Sequence, residues 1–178
     1  LAVPNGDQIL PFVNVLINEF NNVVLTQDWH PPGHASFAST HGKNPYETVE
    51  LGYGTQVLWP DHCVQNTHGA DFHPELNHQV GEVIIRKGFR PNIDSYSAFK
   101  ENDQRTPTGL AGYIRERGFN HVVLCGLAYD FCVKWSALDA RNEGFETTVI
   151  QDACCSINVE GSEQKAHLEM GAAGVKFL

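Results

Sequence analysis

The chain has 178 residues, 42% hydrophobic and 19% charged, which suits one globular domain with a sizeable core and excludes a disordered chain. Its formal charge of −9 argues against nucleic acid or an anionic membrane as partner, and no apolar run is long enough to span a bilayer. Five cysteines (Cys63, Cys125, Cys132, Cys154 and Cys155) form an odd set without framework spacing, so reduced thiols in a cytoplasmic protein are expected.

Residues 7–20 place Ile9, Leu10, Phe12, Val13, Val15, Leu16, Ile17 and Phe20 on a broad helical face, and residues 22–26 (N-V-V-L-T) read as a short strand. Residues 31–58 show no clean period and are rich in glycine, proline, serine and histidine. A loop of that length is expected to be functional. Residues 83–85 form the next strand. Residues 108–118 predict a helix ending at a glycine, followed by a strand at 121–125 (H-V-V-L-C). Helical spacing over 132–142 stops at Gly144. Residues 147–150 are extended, 160–171 helical again, and 175–178 a short final strand. This alternation predicts an α/β fold of three layers, a parallel sheet with helices on both faces. Cys125 sits inside a strand and reads as buried filler. Cys154 and Cys155 read as small residues at the core edge, with a vicinal redox pair as the alternative.

The 22–26 strand runs into Q-D-W-H-P-P-G-H-A-S-F. Asp28 and His30 are two apart, so in an extended chain both side chains leave the same face. A carboxylate and an imidazole meeting at a strand's C-terminal end make half of a divalent-metal site; solvated loop residues are the alternative. A third ligand is needed. His62 in W-P-D-H-C, beside a proline and a tryptophan, is the best candidate. Further on, G-L-A-Y-D-F-C-V-K-W puts Cys132 where an apolar run becomes helical. At a helix start, free N–H groups and the positive end of the dipole favour thiolate over thiol. Lys87, capping a strand beside a glycine, reads on its own as a solvated surface residue.

Taken together, L-A-V-P-N-G-D, T-Q-D-W-H-P-P-G-H-A-S-F, W-P-D-H-C-V-Q-N-T-H-G-A-D-F-H-P, R-K-G and G-L-A-Y-D-F-C-V resemble the nicotinamidase/pyrazinamidase branch of the isochorismatase-like cysteine hydrolases. The resemblance spans essentially the whole chain. It implies a Rossmann-like parallel sheet of order 3-2-1-4-5-6 and hydrolysis of nicotinamide, and of pyrazinamide, to the acid and ammonia in NAD salvage. By the same resemblance Asp28, His30 and His62 hold one divalent ion, zinc first, with iron or manganese as alternatives. Lys87 matches the catalytic lysine, near the thiolate and the developing oxyanion, and Cys132 the nucleophile. The backbone N–H groups of Ala128 and Cys132 match the oxyanion hole, beside a cis peptide bond between Leu127 and Ala128. His34 matches a further ligand of some members, and its role is left open. Trp59, Tyr96 and Phe131 are candidate aromatic walls for a flat pyridine ring, with core packing as the alternative. The partner is thus the small molecule nicotinamide; a homo-oligomer is left open.

The family's proton acceptor is an aspartate on its first strand, in a D-x-Q-N-D-F-like motif upstream of L-A-V-P. These residues contain no such motif. Residues 1–178 are therefore expected to be a single hydrolase domain lacking its first strand, folding poorly or inactive alone. Asp130, two residues from Cys132, is a poor substitute, and Asp7 follows the motif instead of preceding it. Rival readings are another small-amide hydrolase of the superfamily, a metal-hydroxide hydrolase, and a non-catalytic metal- or ligand-binding relative. An ether hydrolase is disfavoured by Cys132.

Overall fold

A computed structural model describes all 178 residues. A 3-10 turn at Gly6–Ile9 leads into α1 (Leu10–Glu19), with Pro11 in its first turn, where the missing N–H costs nothing. β1 (Val24–Asp28) follows, two residues further along than the β-branched run predicts and reaching Asp28 itself. The segment expected to be one long loop contains a short helix, α2 (Ala38–His41), and an antiparallel hairpin, β2 (Thr48–Leu51) with β3 (Gly54–Val57). The hairpin turns on Gly52 and Tyr53, a two-residue connection. Its strands are only four residues long, too short to declare a period-2 pattern.

β4 (Val83–Lys87), α3 (Leu110–Glu116), β5 (His121–Leu127), α4 (Lys134–Asn142), β6 (Glu146–Cys155), α5 (Ser162–Ala172) and β7 (Lys176–Phe177) complete the chain. The parallel strands fall into two groups, β4–β1 and β5–β6–β7, instead of one continuous sheet. β1 and β5 both line the cavity between them, of about 1160 Å³. Cys125 is consequently exposed on β5, not buried filler. No helix is long and apolar enough to cross a membrane.

Helices flank the strands and carry two cores. Tyr129, Val133, Ala137, Val149, Ala166, Met170 and Val175 form one. Ala98, Phe99, Leu110, Ile114, Ala140 and Phe145 form the other. α4 joins them, since Ala137 belongs to one and Ala140, one turn further along the same face, to the other, and small side chains admit close neighbours. The apolar stripe of α1 is only partly used: Ile9, Leu10 and Ile17 are buried, while Phe12, Val15 and Phe20 are exposed.

Register places the chemistry. β1 and β4 align Asp28 opposite Lys87 at their C-terminal ends. Opposed residues of paired strands share a face, so a 59-residue separation becomes a side-chain contact.

Candidate active site

Past β1 the chain continues extended, and His30 forms an isolated bridge with Val64, which draws the segment after Trp59–Pro60 alongside. Asp28, His30 and His62 thereby converge, one ligand atom from each lying within 4.8 Å of the others. Both imidazoles are oriented by the backbone. Nδ1 of His30 meets the Gly88 carbonyl at 2.9 Å and Nδ1 of His62 the Pro60 carbonyl at 2.8 Å. A carbonyl only accepts, so each Nδ1 carries the hydrogen and each Nε2 keeps a lone pair. Burial holds both rings below the ordinary histidine range, in the neutral form a metal ligand requires. Two neutral imidazoles with backbone-fixed tautomers and one carboxylate fit a divalent cation. His34 differs. Its Nδ1 accepts from the Ser36 N–H at 3.3 Å, so Nε2 donates to the Ile93 carbonyl at 3.2 Å. Its ring stacks on His30 with centroids 4.4 Å apart and presents no free lone pair to the Asp28 set.

Lys87 is buried, contrary to the solvated position its local sequence suggests. Its ammonium is ion-paired with Asp28, reaches the Ser95 carbonyl at 3.3 Å, and stands 3.7 Å from the Cys132 sulfur. Burial disfavours its charge, but Asp28 and then Cys132 more than offset this and hold its pKa above the ordinary lysine range. Burial likewise pushes the Asp28 carboxyl up, and Lys87, leading several partners, brings it below the ordinary carboxylate range. One ammonium thus links the candidate nucleophile to the candidate cation site.

Cys132 lies within a π-turn, Tyr129–Val133, ahead of α4, and not in the first turn of an α-helix. The expected thiolate preference is not realised by these residues alone. Burial pushes the Cys132 thiol up to about 11, with Asp28 and Asp94 adding to the rise against the opposing pull of Lys87 and the Ala128 N–H. Ala128 is buried and follows a cis peptide bond from Leu127. Asp130 is buried and turned away. Its oxygens accept from the N–H groups of Ile157 (3.0 Å) and Asn158 (2.7 Å), so it cannot serve Cys132.

The three aromatic candidates meet. Trp59 and Phe131 pack edge to face at 4.8 Å, and Tyr96 stands 5.7 Å from Phe131. All three line the same cavity as Asp28, His30, His62, Lys87 and Cys132. The Tyr96 hydroxyl is fixed by donors from Trp59 Nε1 at 3.1 Å and Gln56 Nε2 at 3.0 Å.

The isochorismatase domain model matches residues 1–178. The chain belongs to the isochorismatase family. Among its relatives is a nicotinamidase of Acinetobacter baylyi, 55% identical over 179 residues, which cover all of this chain and 84% of the relative. The structure of a nicotinamidase/pyrazinamidase from Acinetobacter baumanii superposes with a TM-score of 0.98 at 56% identity, over 100% of this chain and 86% of that one. A pyrazinamidase of Pyrococcus horikoshii in complex with zinc superposes at 0.80 with 37% identity, covering 100% and 88%. A divalent-metal site is consistent with that zinc complex and with the Asp28–His30–His62 cluster.

In this isochorismatase-family chain the quoted motifs leave Gln56 and Asp94 out, and they include Gly88 only as the last residue of R-K-G, without a role. Gly88 has φ +60°, and a Cβ there would lie 2.4 Å from His30 Cε1. Both the backbone conformation and the seat of the His30 ring need a residue without a side chain. Its position after Lys87 in R-K-G is the only local signal. Gly88→Ala is expected to displace His30, lowering thermal stability by about 1–3 kcal/mol and weakening metal binding at least about 10-fold. Denaturant unfolding and a chelator competition measure the two effects. Unchanged metal affinity would show that the His30 seat tolerates a methyl group.

Proposed function

We propose that this chain is a metal-dependent cysteine amidohydrolase that converts nicotinamide, and pyrazinamide, to the acid and ammonia, serving NAD salvage in the cytoplasm. The carrying observation is Lys87, whose ammonium touches both the Cys132 sulfur and Asp28 within one aromatic-walled cavity. The relatives' activities agree with this reading. Asp28, His30 and His62 would hold the metal, zinc in the first instance. When bound, it supplies a Lewis-acid anchor for the pyridine nitrogen and a counter-charge for the thiolate.

The residues' own work follows from their positions. Trp59, Tyr96 and Phe131, packed edge to face on one another, form an aromatic wall for the flat ring and exclude water. That sets the carboxamide carbon before the Cys132 sulfur. As the thiolate attacks, the N–H groups of Ala128 and Cys132 receive the oxyanion, and Lys87, remaining protonated, holds a fixed positive charge beside it. Ammonia leaves, and water hydrolyses the thioester on Cys132 to release nicotinate.

Lys87 stays charged, so it cannot take the thiol proton. Asp28 is engaged with Lys87, and Asp94 accepts from Ser95 and Gln56. The acceptor therefore comes from elsewhere. The edges of β1 and β5 that border the cavity are unpaired by each other, and unpaired edges are strand-binding sites. An extended segment running parallel between them would pair both and bring a carboxylate to Cys132. On this account, residues 1–178 alone release ammonia about 10²–10⁴-fold more slowly than a protein with that segment. A continuous ammonia assay of the two forms tests this; normal turnover by the 178 residues would refute it. A non-catalytic binding role would show as nicotinamide binding without ammonia release in both forms.

A further inference from the structure

Behind the His30 ring lies a carboxylate that the mechanism above does not use. Asp94 is buried, and one of its oxygens lies within 4.8 Å of ligand nitrogens on His30 and His34. Its Oδ1 accepts from the Ser95 N–H at 2.8 Å and its Oδ2 from Gln56 Nε2 at 3.0 Å, both neutral donors. The nearest buried cation, Lys87, is ion-paired with Asp28 instead. Asp94 is therefore a buried negative charge with no ion-pair partner, an arrangement that is costly without a counter-charge nearby.

Counting formal charges identifies one. Asp28 and Asp94 contribute two negative charges and Lys87 one positive, so the buried cluster carries a net charge of about −1 before any metal binds. A divalent ion on Asp28, His30 and His62 overcompensates by one, and the Cys132 thiolate brings the sum to zero. Without Asp94 the metal-loaded site with a thiolate would carry an excess positive charge. The position also suits orientation. Gly88 packs His30 and Asp94 together, since a Cβ there would lie 2.5 Å from His30 Nδ1 and 3.3 Å from Asp94 Oδ1. The residue before Asp94 supplies the carbonyl that binds His34.

We propose that Asp94 is a positioning residue of the cation site: its carboxylate, packed behind His30 and His34, holds the ring stack and supplies the charge that lets a divalent ion and a thiolate coexist in the site. This rests on Asp28, His30 and His62 being the ligands. In metal-ligand networks, loss of such an outer carboxylate typically weakens binding about 10–100-fold.

The test uses Zn²⁺ as the probe, with affinity from competition against a chromophoric chelator and thermal unfolding of the metal-free protein as a second readout. Asp94→Asn is expected to weaken zinc binding about 10–100-fold. The metal-free protein should unfold at the same or a higher temperature, because an unbalanced buried charge has been removed. Gln56→Met removes the same hydrogen bond but keeps the charge, so it should lower the metal-free unfolding temperature and leave zinc affinity nearly unchanged. If Asp94→Asn instead destabilises the metal-free protein as Gln56→Met does and spares zinc affinity, Asp94 is only scaffold and the proposal falls. His62→Ala examines the ligand assignment separately. Loss of zinc binding there, with weakening in Asp94→Asn, supports both claims. Zinc retained in His62→Ala but abolished in Asp94→Asn would move the ion to His30, His34 and Asp94 and overturn both.

Discussion

Replacing Cys132 by alanine should lower ammonia release from nicotinamide by at least about 10⁵-fold while leaving the protein folded and able to bind zinc. The sulfur lies in the cavity 3.7 Å from the Lys87 ammonium, so its removal takes away the nucleophile proposed to bond the carboxamide. Its neighbours do not depend on it. Val133 and Ala137 carry the packing of that segment, and Lys87 keeps its partners Asp28 and Ser95. Cys155→Ala is the control, expected to match the parent in rate, since the Cys155 sulfur meets the Asn5 carbonyl and does not line the cavity. A Cys132→Ala protein that retained turnover would favour attack by metal-bound hydroxide, the rival mechanism for the same ligand set.

The second large effect concerns the cation site. Removal of metal with a chelator, or substitution of His62 by alanine, should reduce kcat/KM by about 10²-fold or more, and zinc added back should restore only the chelated parent. The loss follows from positioning: without its anchor the ring keeps its aromatic walls but loses the fixed distance to the sulfur. The thiol should also become harder to ionise. Asp28 and Asp94 both act against the Cys132 thiolate, and burial already pushes the thiol up to about 11. Iodoacetamide labelling of Cys132 at neutral pH should therefore slow on metal removal. Faster or unchanged labelling would mean that the ion does not act on the sulfur.

How much of this was legible beforehand depends on the range over which each feature is specified. Asp28 and His30 share one extended stretch, and His62 sits in a turn beside Pro60, so short motifs suffice to bring out this candidate cluster. Lys87 is the opposite case. Its local pattern suits a solvated residue, and its burial arises only from the pairing of β1 with β4. The position of Cys132 was read to within a turn, but a π-turn and an α-helix start share the same apolar spacing, and hydrophobic pattern does not separate them. The hairpin β2–β3 was missed because its strands are short and polar outward. It nonetheless delivers Gln56, which orients Tyr96 and Asp94. Cys125 reads as core because it lies inside a strand; in the structure it is exposed and lines the cavity between β1 and β5. The apolar stripe of α1 overstated burial for the same reason that sequence periodicity always does: it reports which residues share a face, not whether anything covers that face.

Mass spectrometry of the metal-loaded protein, acid-quenched during nicotinamide turnover, bears most directly on the claim that Cys132 attacks the carboxamide. The account predicts one nicotinoyl group on the peptide bearing Cys132, absent from Cys132→Ala and discharged when quenching is delayed until substrate is exhausted. Steady ammonia release with no acylated peptide, or acylation at another cysteine, would contradict it.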